Sequence, residues 1–505
     1  MTQGKVWLVG AGPGDPGLFT LKGRAILSQA EVVVYDSLVG DGVLAMIPGE
    51  ARLINVGKRA GNHTMRQEQI NETLLSEAKK GLRVVRLKGG DPFLFGRGGE
   101  ELELLAREGI PYEIVPGVTS PIAVPAYNGI PVTHRDFCSS VHIITGHKRA
   151  GEELNMDFEA LVRTEGTLVF LMGVTAMPDI LAGLKRAGMD PDMPAAILQQ
   201  GTTAGQRRVV ATISTLEEEA ARAGIGTPAI IVVGRVCSLA EEFAWYEKLP
   251  LAGCKVLVTR PRELVSAMAL KLRRQGAEVL ELPAIATRAI PDNQALEAAL
   301  DRLESYQWIA FTSPTGVRFF FEALRAAKKD VRSLGNIRVA AIGQGTRKAL
   351  EERGILADLM PEVYDGASLG AALASACQPG DRILLPRAAL GNQEILEALA
   401  GRPDVQVEDV ATYETYYPRQ EVIDQRKKVE EGELDFAVFT SASTVRGFAQ
   451  AVPELNFRKV TAACIGRQTR EAALKLGMEA YMAKEATMDS LVELVAELAE
   501  RKKQR

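Results

Sequence analysis

Histidine is scarce in this chain, cysteine is dispersed and neither charge sign prevails. The four histidines, His63, His134, His142 and His147, all precede residue 150, which excludes a histidine triad or histidine-built metal centre from the second half. The five cysteines, Cys138, Cys237, Cys254, Cys377 and Cys464, include no C-x-x-C pair. That spacing matches neither a metal site nor a disulfide framework; it suits a reducing cytoplasm, and no metal is expected. Lys and Arg number 60 against 64 Asp and Glu, a formal charge of −4, so net charge carries neither a nucleic-acid footprint nor a polybasic membrane anchor. No apolar run approaches the roughly 18 residues of a membrane helix, and the opening MTQGKVWLVGAG enters a strand pattern without the regions of a leader. Aromatics are 6% of the 505 residues, yet apolar types reach 46%. This ordinary globular composition allows three or four folding units at roughly 150 residues each.

What is present is an α/β rhythm. Short β-branched runs such as KVWLVG (5–10), EVVVYD (31–36), LINVGK (53–58), RVVRLKGG (83–90) and YEIVPG (112–117) alternate with helix-like stretches, and a second set runs from SVHIITGH to PAIIVVGRV. A Pro and a Gly in EKLPLAGCK (247–255) mark a linker and a boundary near residue 250. The second half repeats itself. FTSPTGVRFF (311–320) matches FTSASTVRGF (439–448), AIGQGTRKALEERG (341–354) matches CIGRQTREAALKLG (464–477), and VLVTRP (256–261) pairs with ILLPRA (383–388). Closely similar offsets predict two lobes of roughly 120 residues.

In the first half, GAGPGD (10–15) follows a strand. As a dinucleotide fingerprint it fails, because Asp15 stands at the third glycine position and Pro13 and Pro16 disturb the helix start. A tight Gly/Pro turn without ligand is the plain alternative. Against that, Pro13, Asp36, Lys58, Gly89-Gly90-Asp91 and Thr119-Ser120 all fall just past carboxyl ends of predicted strands, where open α/β sheets bind ligands.

These segments resemble the uroporphyrinogen-III C-methyltransferase family through GAGPGDPGLFTLKG, VVVYDSLV, VGKRAG, VVRLKGGDPFLFGRGGEE, PYEIVPGVTS, AYNGIPVTHR, TGH, LVFLMG and TPAIIVVGRV, in order from residue 5 to about 245. The resemblance implies a two-lobed tetrapyrrole-methylase-like unit over 1–248, with lobes about 1–117 and 118–248. It implies S-adenosylmethionine as methyl donor, a porphyrinogen as acceptor, and a homodimer formed through this half. Carried over, the cofactor contacts fall on Pro13, Gly89, Gly90, Asp91, Leu94, Thr119, Ser120, Met172, Gly201 and Ala229. Glycines let main-chain groups reach a ligand and Asp91 can accept from a ribose or an ammonium; for Met172 a buried core position is the alternative. Asp36 and Lys58 match the family's proton acceptor and donor, a mutual salt bridge being the alternative. Arg59, Arg66, Arg97, His134 and Arg135 are available to the acceptor's carboxylates.

In the second half, each repeat has one strand ending in Phe-Thr-Ser and another ending in Ile-Gly-x-x-Thr-Arg, both at helix starts. Such hydroxyls are caps by default and carboxylate sites when they face a cleft. VLVTRP, WIAFTSPTGV, VAAIGQGT, DVATYETYY, FAVFTSASTV and CIGRQT resemble uroporphyrinogen-III synthase. This implies a two-lobed α/β unit over 253–500, with lobes 253–284 plus 418–500 and 290–408, joined by the ribbons 281–290 and 407–417. The implied reaction closes hydroxymethylbilane, inverting its last ring, without a cofactor. Tyr413 would assist hydroxyl departure, an amphipathic strand tyrosine being the alternative, and Ser313, Thr346, Ser441 and Thr469 would bind carboxylates. Together the halves would make uroporphyrinogen III and methylate it twice to precorrin-2, for sirohaem or cobalamin. The competing reading is a methyltransferase for another corrin intermediate, followed by a two-lobed anion-binding module without chemistry.

Overall fold

The computed structural model describes residues 4–57, 65–146, 156–259, 265–282, 286–391, 393–416, 429, 431 and 434–504. It divides into two compact units, Met1–Pro283 with Arg419–Arg505, and Ala284–Pro418. Among the described residues the first unit holds three five-stranded sheets and the second holds one.

The first sheet comprises β1 (Lys5–Gly10), β2 (Val32–Tyr35), β3 (Arg52–Asn55), β4 (Arg83–Lys88) and β5 (Tyr112–Val115), in the order β3-β2-β4-β1-β5. All its pairings are parallel. Alternate residues explain why these strands read as nearly continuous apolar runs. Val9, Val33, Val85 and Leu87 pack on one side, and Val6, Leu8, Val32 and Val84 pack on the other, so both faces are covered. Thr20 starts the first long connection by accepting the Gly23 N–H, capping helix Leu21–Leu27.

The second sheet has β6 (Val141–Thr145), β7 (Thr167–Leu171), β8 (Pro194–Gln199), β9 (Arg207–Thr212) and β10 (Ala229–Val233), ordered β6-β7-β10-β8-β9. Only β6 and β7 pair in parallel; the other three pairings are antiparallel.

The third sheet begins with β11 (Lys255–Val258) and β12 (Glu278–Glu281). The chain then builds the second unit from β13 (Ala286–Ala289), β14 (Trp308–Phe311), β15 (Arg338–Ala341), β16 (Arg382–Ala388) and β17 (Gln406–Tyr416). It returns to complete the third sheet with β18 (Phe436–Phe439), β19 (Thr461–Cys464) and β20 (Glu479–Met482). The third sheet is ordered β12-β11-β18-β19-β20 and the fourth β13-β17-β16-β14-β15. The run β12-β11-β18-β19 therefore has the same arrangement as β17-β16-β14-β15, the internal duplication that the repeated segments announce. In the fourth sheet β13 pairs antiparallel with β17, Ala289 opposite Tyr413 and Thr287 opposite Thr415.

The repeated letters have structural work in both copies. Ser313 accepts the Gly316 N–H to cap helix Pro314–Ala326, and Ser441 accepts the Thr444 N–H to cap helix Ala442–Ala451. Phe311 and Phe320 lie 5.5 Å apart in one core, as do Phe439 and Phe448 in the other. Val317 and Val445 are fully buried beneath them.

Candidate active sites

The carboxyl ends of β1 and β4 are held together by backbone. Gly12 N–H donates to Gly90 O at 3.2 Å and Gly90 N–H to Gly12 O at 2.8 Å, and both residues have positive φ, the left-handed region that favours glycine. Gly90 has φ +67°, and among the described residues a Cβ there would meet only Thr119 Oγ1, 4.0 Å away. A bare strip of main chain thus faces open space beside a hydroxyl that makes no capping bond to its own helix, Ser120–Tyr127. Gly89 differs: a Cβ on it would stand 2.5 Å from Leu38 Cβ, so this glycine is required by packing.

Asp91 organises the same loop. Its Oδ1 accepts from Phe93 N–H (2.8 Å) and Leu94 N–H (3.1 Å), and its Oδ2 accepts from Gly117 N–H (2.9 Å). Gly201 follows β8 and lies against Val124 of helix Ser120–Tyr127, with its absent Cβ position 2.4 Å from Val124 Cγ1. Ala229 opens β10 opposite Gln199, and Met172 follows β7 with φ +54° and a half-exposed side chain. Met172 is thus not a buried core residue. Its strained backbone is the kind that persists where surroundings over-determine it. Pro13 is half-buried in the turn after β1. Asp15, at the failed glycine position, caps the short helical turn Pro16–Leu18. Its Oδ2 accepts from Tyr127 OH at 2.7 Å and its N–H donates to Thr202 Oγ1 at 3.2 Å, so it joins the turn to the second sheet's loop.

Asp36 directly follows β2 and accepts from Leu38 N–H at 3.1 Å and Gly89 N–H at 3.4 Å, one residue from the open strip. Lys58, Arg59 and His63 lie outside the described residues. The structure supplies a cationic neighbour that sequence reasoning missed: Arg86 Nη1 stands 3.5 Å from Asp36 Oδ2. Behind it, fully buried Glu101 accepts from Lys88 Nζ at 2.8 Å and from Arg86 Nε at 3.2 Å. Burial, and then Arg86 beside it, pull the Lys88 ammonium below its usual range, while Glu101 opposes them. Arg86 and Lys88 alternate in RVVRLK, so both point to one face of β4.

In the second unit, Tyr413 is buried, stacked on Phe319 at 5.3 Å, and within 3.0 Å of Ser313 Oγ. Burial raises its hydroxyl pKa above the ordinary tyrosine range, with the Ser313 bond and Arg318 opposing. Arg318 lies over Phe319 and donates to Thr287 Oγ1 at 3.2 Å, so a cation and three hydroxyls gather where β14 meets its helix. Thr346 and Thr469 are the third residues of helices Gln344–Glu351 and Arg467–Lys475, whose caps are Gly343 and Gly466. Both threonines are buried, at 2% and 4% exposure. Ser441 Oγ, besides capping, lies 2.8 Å from Ser443 Oγ. Cys464, which precedes the Gly466 junction, has its thiol pushed up to about 12 by burial, so it stays protonated.

A model of tetrapyrrole (corrin/porphyrin) methylases matches residues 5–217, and one of uroporphyrinogen-III synthase HemD matches residues 266–493. The porphyrin biosynthesis protein HemD of Ruminiclostridium josui is 46% identical over 498 residues, 99% of each chain. The chain belongs to this family of fused methylase and synthase proteins. It is an enzyme of tetrapyrrole biosynthesis with a methyltransferase domain followed by a synthase domain. The uroporphyrinogen-III C-methyltransferase of Bacillus subtilis is 41% identical over 357 residues, 70% of this chain and 73% of its own. The S-adenosyl-L-methionine-dependent uroporphyrinogen III methyltransferase of Methanosarcina barkeri is 52% identical over 237 residues, 47% of this chain and 93% of its own. Among the described residues, no helix of this fused enzyme is long and apolar enough to cross a membrane, and no cluster of metal-ligating side chains occurs.

Proposed function

We propose that the synthase domain cyclises hydroxymethylbilane to uroporphyrinogen III with inversion of the last ring, and that the methyltransferase domain methylates this product twice to precorrin-2. The observation that carries the first-domain reading is Asp36 bonded to Gly89 N–H, next to the open main chain of Gly90. A carboxylate thus stands beside a cradle of backbone and hydroxyl groups suited to an adenosine or amino-acid moiety. S-adenosylmethionine, when bound, supplies an electrophilic methyl group. Gly90, Thr119, Ser120 and Gly201 would hold it, with Pro13, Leu94, Met172 and Ala229 as further walls. Asp91 acts by fixing the loop, since its carboxylate already accepts three main-chain N–H groups.

Asp36 receives the proton released as the macrocycle's double bonds rearrange, and Arg86 keeps its carboxylate oriented toward the cradle. Lys58 retains the donor role that family resemblance gives it. In the synthase domain, Tyr413 hydrogen-bonds to the departing terminal hydroxyl. Ser313 orients that phenol and Arg318 beside it takes a substrate carboxylate; the Ser441 and Gly466 junctions are carboxylate sites of their own sheet. The same proposal includes a homodimer formed through the methyltransferase domain, checked by sedimentation, and a cytoplasmic location, which the five free thiols suit.

Titration calorimetry tests the first domain: the full chain should bind S-adenosylmethionine and leave NAD unbound. Asp36→Asn should keep that affinity and slow single-turnover methyl transfer by roughly 10²-fold or more. Parent-rate transfer by Asp36→Asn removes Asp36 from the chemistry.

A further inference from the structure

The loop joining β8 to β9 carries Gly201 and is under backbone strain on both sides of it. Gln200 has φ +46° and Thr202 has φ +70°, conformations that cost side-chain-bearing residues free energy and need support from their surroundings. Part of that support is local. Thr203 Oγ1 donates to Gln200 O at 2.8 Å, Thr202 N–H donates to Gln206 Oε1 at 2.9 Å, and Gln206 Nε2 donates to Tyr127 O at 3.1 Å.

One support comes from the other domain. Glu278, the first residue of edge strand β12, accepts the Ala204 N–H on its Oε2 at 2.8 Å. A second tie runs beside it. Tyr246 OH donates to Gly276 O at 3.1 Å, and the Tyr246 ring packs 5.1 Å from that of Tyr127, whose hydroxyl binds Asp15. Gly14, Asp15, Thr203, Tyr246, Arg273 and Glu278 close around one crevice. The segments meeting there include those that carry Pro13 and Gly201, and Tyr127, at the far end of the helix that begins at Ser120, is tied to them through Asp15.

We propose that Glu278, a residue of the synthase domain, is a positioning residue for the methyltransferase: by holding Ala204 N–H it fixes the strained Gly201 loop in its cofactor-binding conformation. This rests on the reading of Gly201 as a cofactor contact. Reciprocity follows, because a contact that favours cofactor binding is itself strengthened by the cofactor. Occupancy of the methyltransferase should therefore tighten the β11–β12 edge of the synthase lobe.

The test uses the full chain with Glu278→Ala and with Glu278→Gln, which keeps a carbonyl acceptor at the same reach. Calorimetry with S-adenosylmethionine should give Glu278→Ala a dissociation constant raised about fivefold or more, with Glu278→Gln restoring most of the parent affinity. Hydrogen exchange without cofactor should be faster for the segment 200–206 in Glu278→Ala, while type III isomer formation from hydroxymethylbilane stays at the parent rate. Parent affinity and parent exchange in Glu278→Ala overturn the proposal. A parent chain that binds no S-adenosylmethionine overturns the cofactor reading and the proposal with it. Faster exchange with unchanged affinity reduces Glu278 to a structural tie and overturns the positioning role.

Discussion

The third and fourth sheets share a template and differ in what stands over it. After β14, Ser313 caps its helix and meets the Tyr413 hydroxyl; after β18, Ser441 caps its helix and, among the described residues, its side chain meets Ser443 and Thr444. The second junctions diverge in the same direction. A Cβ on Gly343 would lie 2.9 Å from the Tyr364 ring, whereas Gly466 has open space there. Among the described residues, one copy is thus topped by two tyrosines and the other by none at these junctions. What the copies share, Phe pair, buried valine and serine cap, holds the sheet to its helices. What they do not share is the tyrosine hydroxyl beside the capping serine, and the proposed function gives the acid-bearing role to the Tyr413 copy and ligand docking to the other.

The largest expected effect tests the shared part. Phe320→Ala and Phe448→Ala should each cost about 3–5 kcal/mol, read by denaturant titration with hydrogen exchange reporting on helices 314–326 and 442–451 separately. Closely matched losses support a common scaffold; a large loss in one copy alone breaks the comparison. Tyr413→Phe comes next. It keeps the stack on Phe319 and removes the hydroxyl, so synthase turnover should fall roughly 10²-fold with little change in stability. Because burial raises the Tyr413 pKa, the phenol keeps its proton through the ordinary tyrosine range. The alkaline fall in turnover that it causes should therefore lie above about pH 10, and a fall well below that pH assigns the titration to another group. The smallest effects separate the serines. Ser313→Ala and Ser441→Ala should each lose about 1 kcal/mol of capping; Ser313→Ala should lower turnover, and Ser441→Ala should raise the Michaelis constant for hydroxymethylbilane. Identical kinetic effects would erase the distinction between the copies.

The duplication was legible because a core Phe pair, a buried Val and a capping Ser recur at fixed spacing in FTSPTGVRFF and FTSASTVRGF. The same letters suggested ligand contacts, yet Thr346 and Thr469 are packed inside their helices' first turns. Identity between repeats records what folding needs at least as strongly as what a substrate needs. In the methyltransferase domain the positions just past the strands were readable, since glycines and Asp91 follow strongly β-branched runs. The Arg86, Lys88 and Glu101 group was not. Alternating cations in RVVRLK gave a signal, but their partner lies on helix Gly98–Arg107, and burial of three charges together is a property of packing. Glu278 was invisible for the same reason: nothing in EVLE indicates that its first carboxylate meets a loop more than seventy residues earlier in the chain.

Two chemistries in one chain are tested most directly by a single reaction, in which the full-length protein is given hydroxymethylbilane and S-adenosylmethionine and the oxidised products are resolved by isomer and mass. The expected product is the type III macrocycle carrying two added methyl groups, with unmethylated type III accumulating when S-adenosylmethionine is omitted. A type III fraction no higher than the no-enzyme level, whether or not methyl groups are added, would contradict a catalytic synthase domain and leave the tyrosine-topped copy as scaffold.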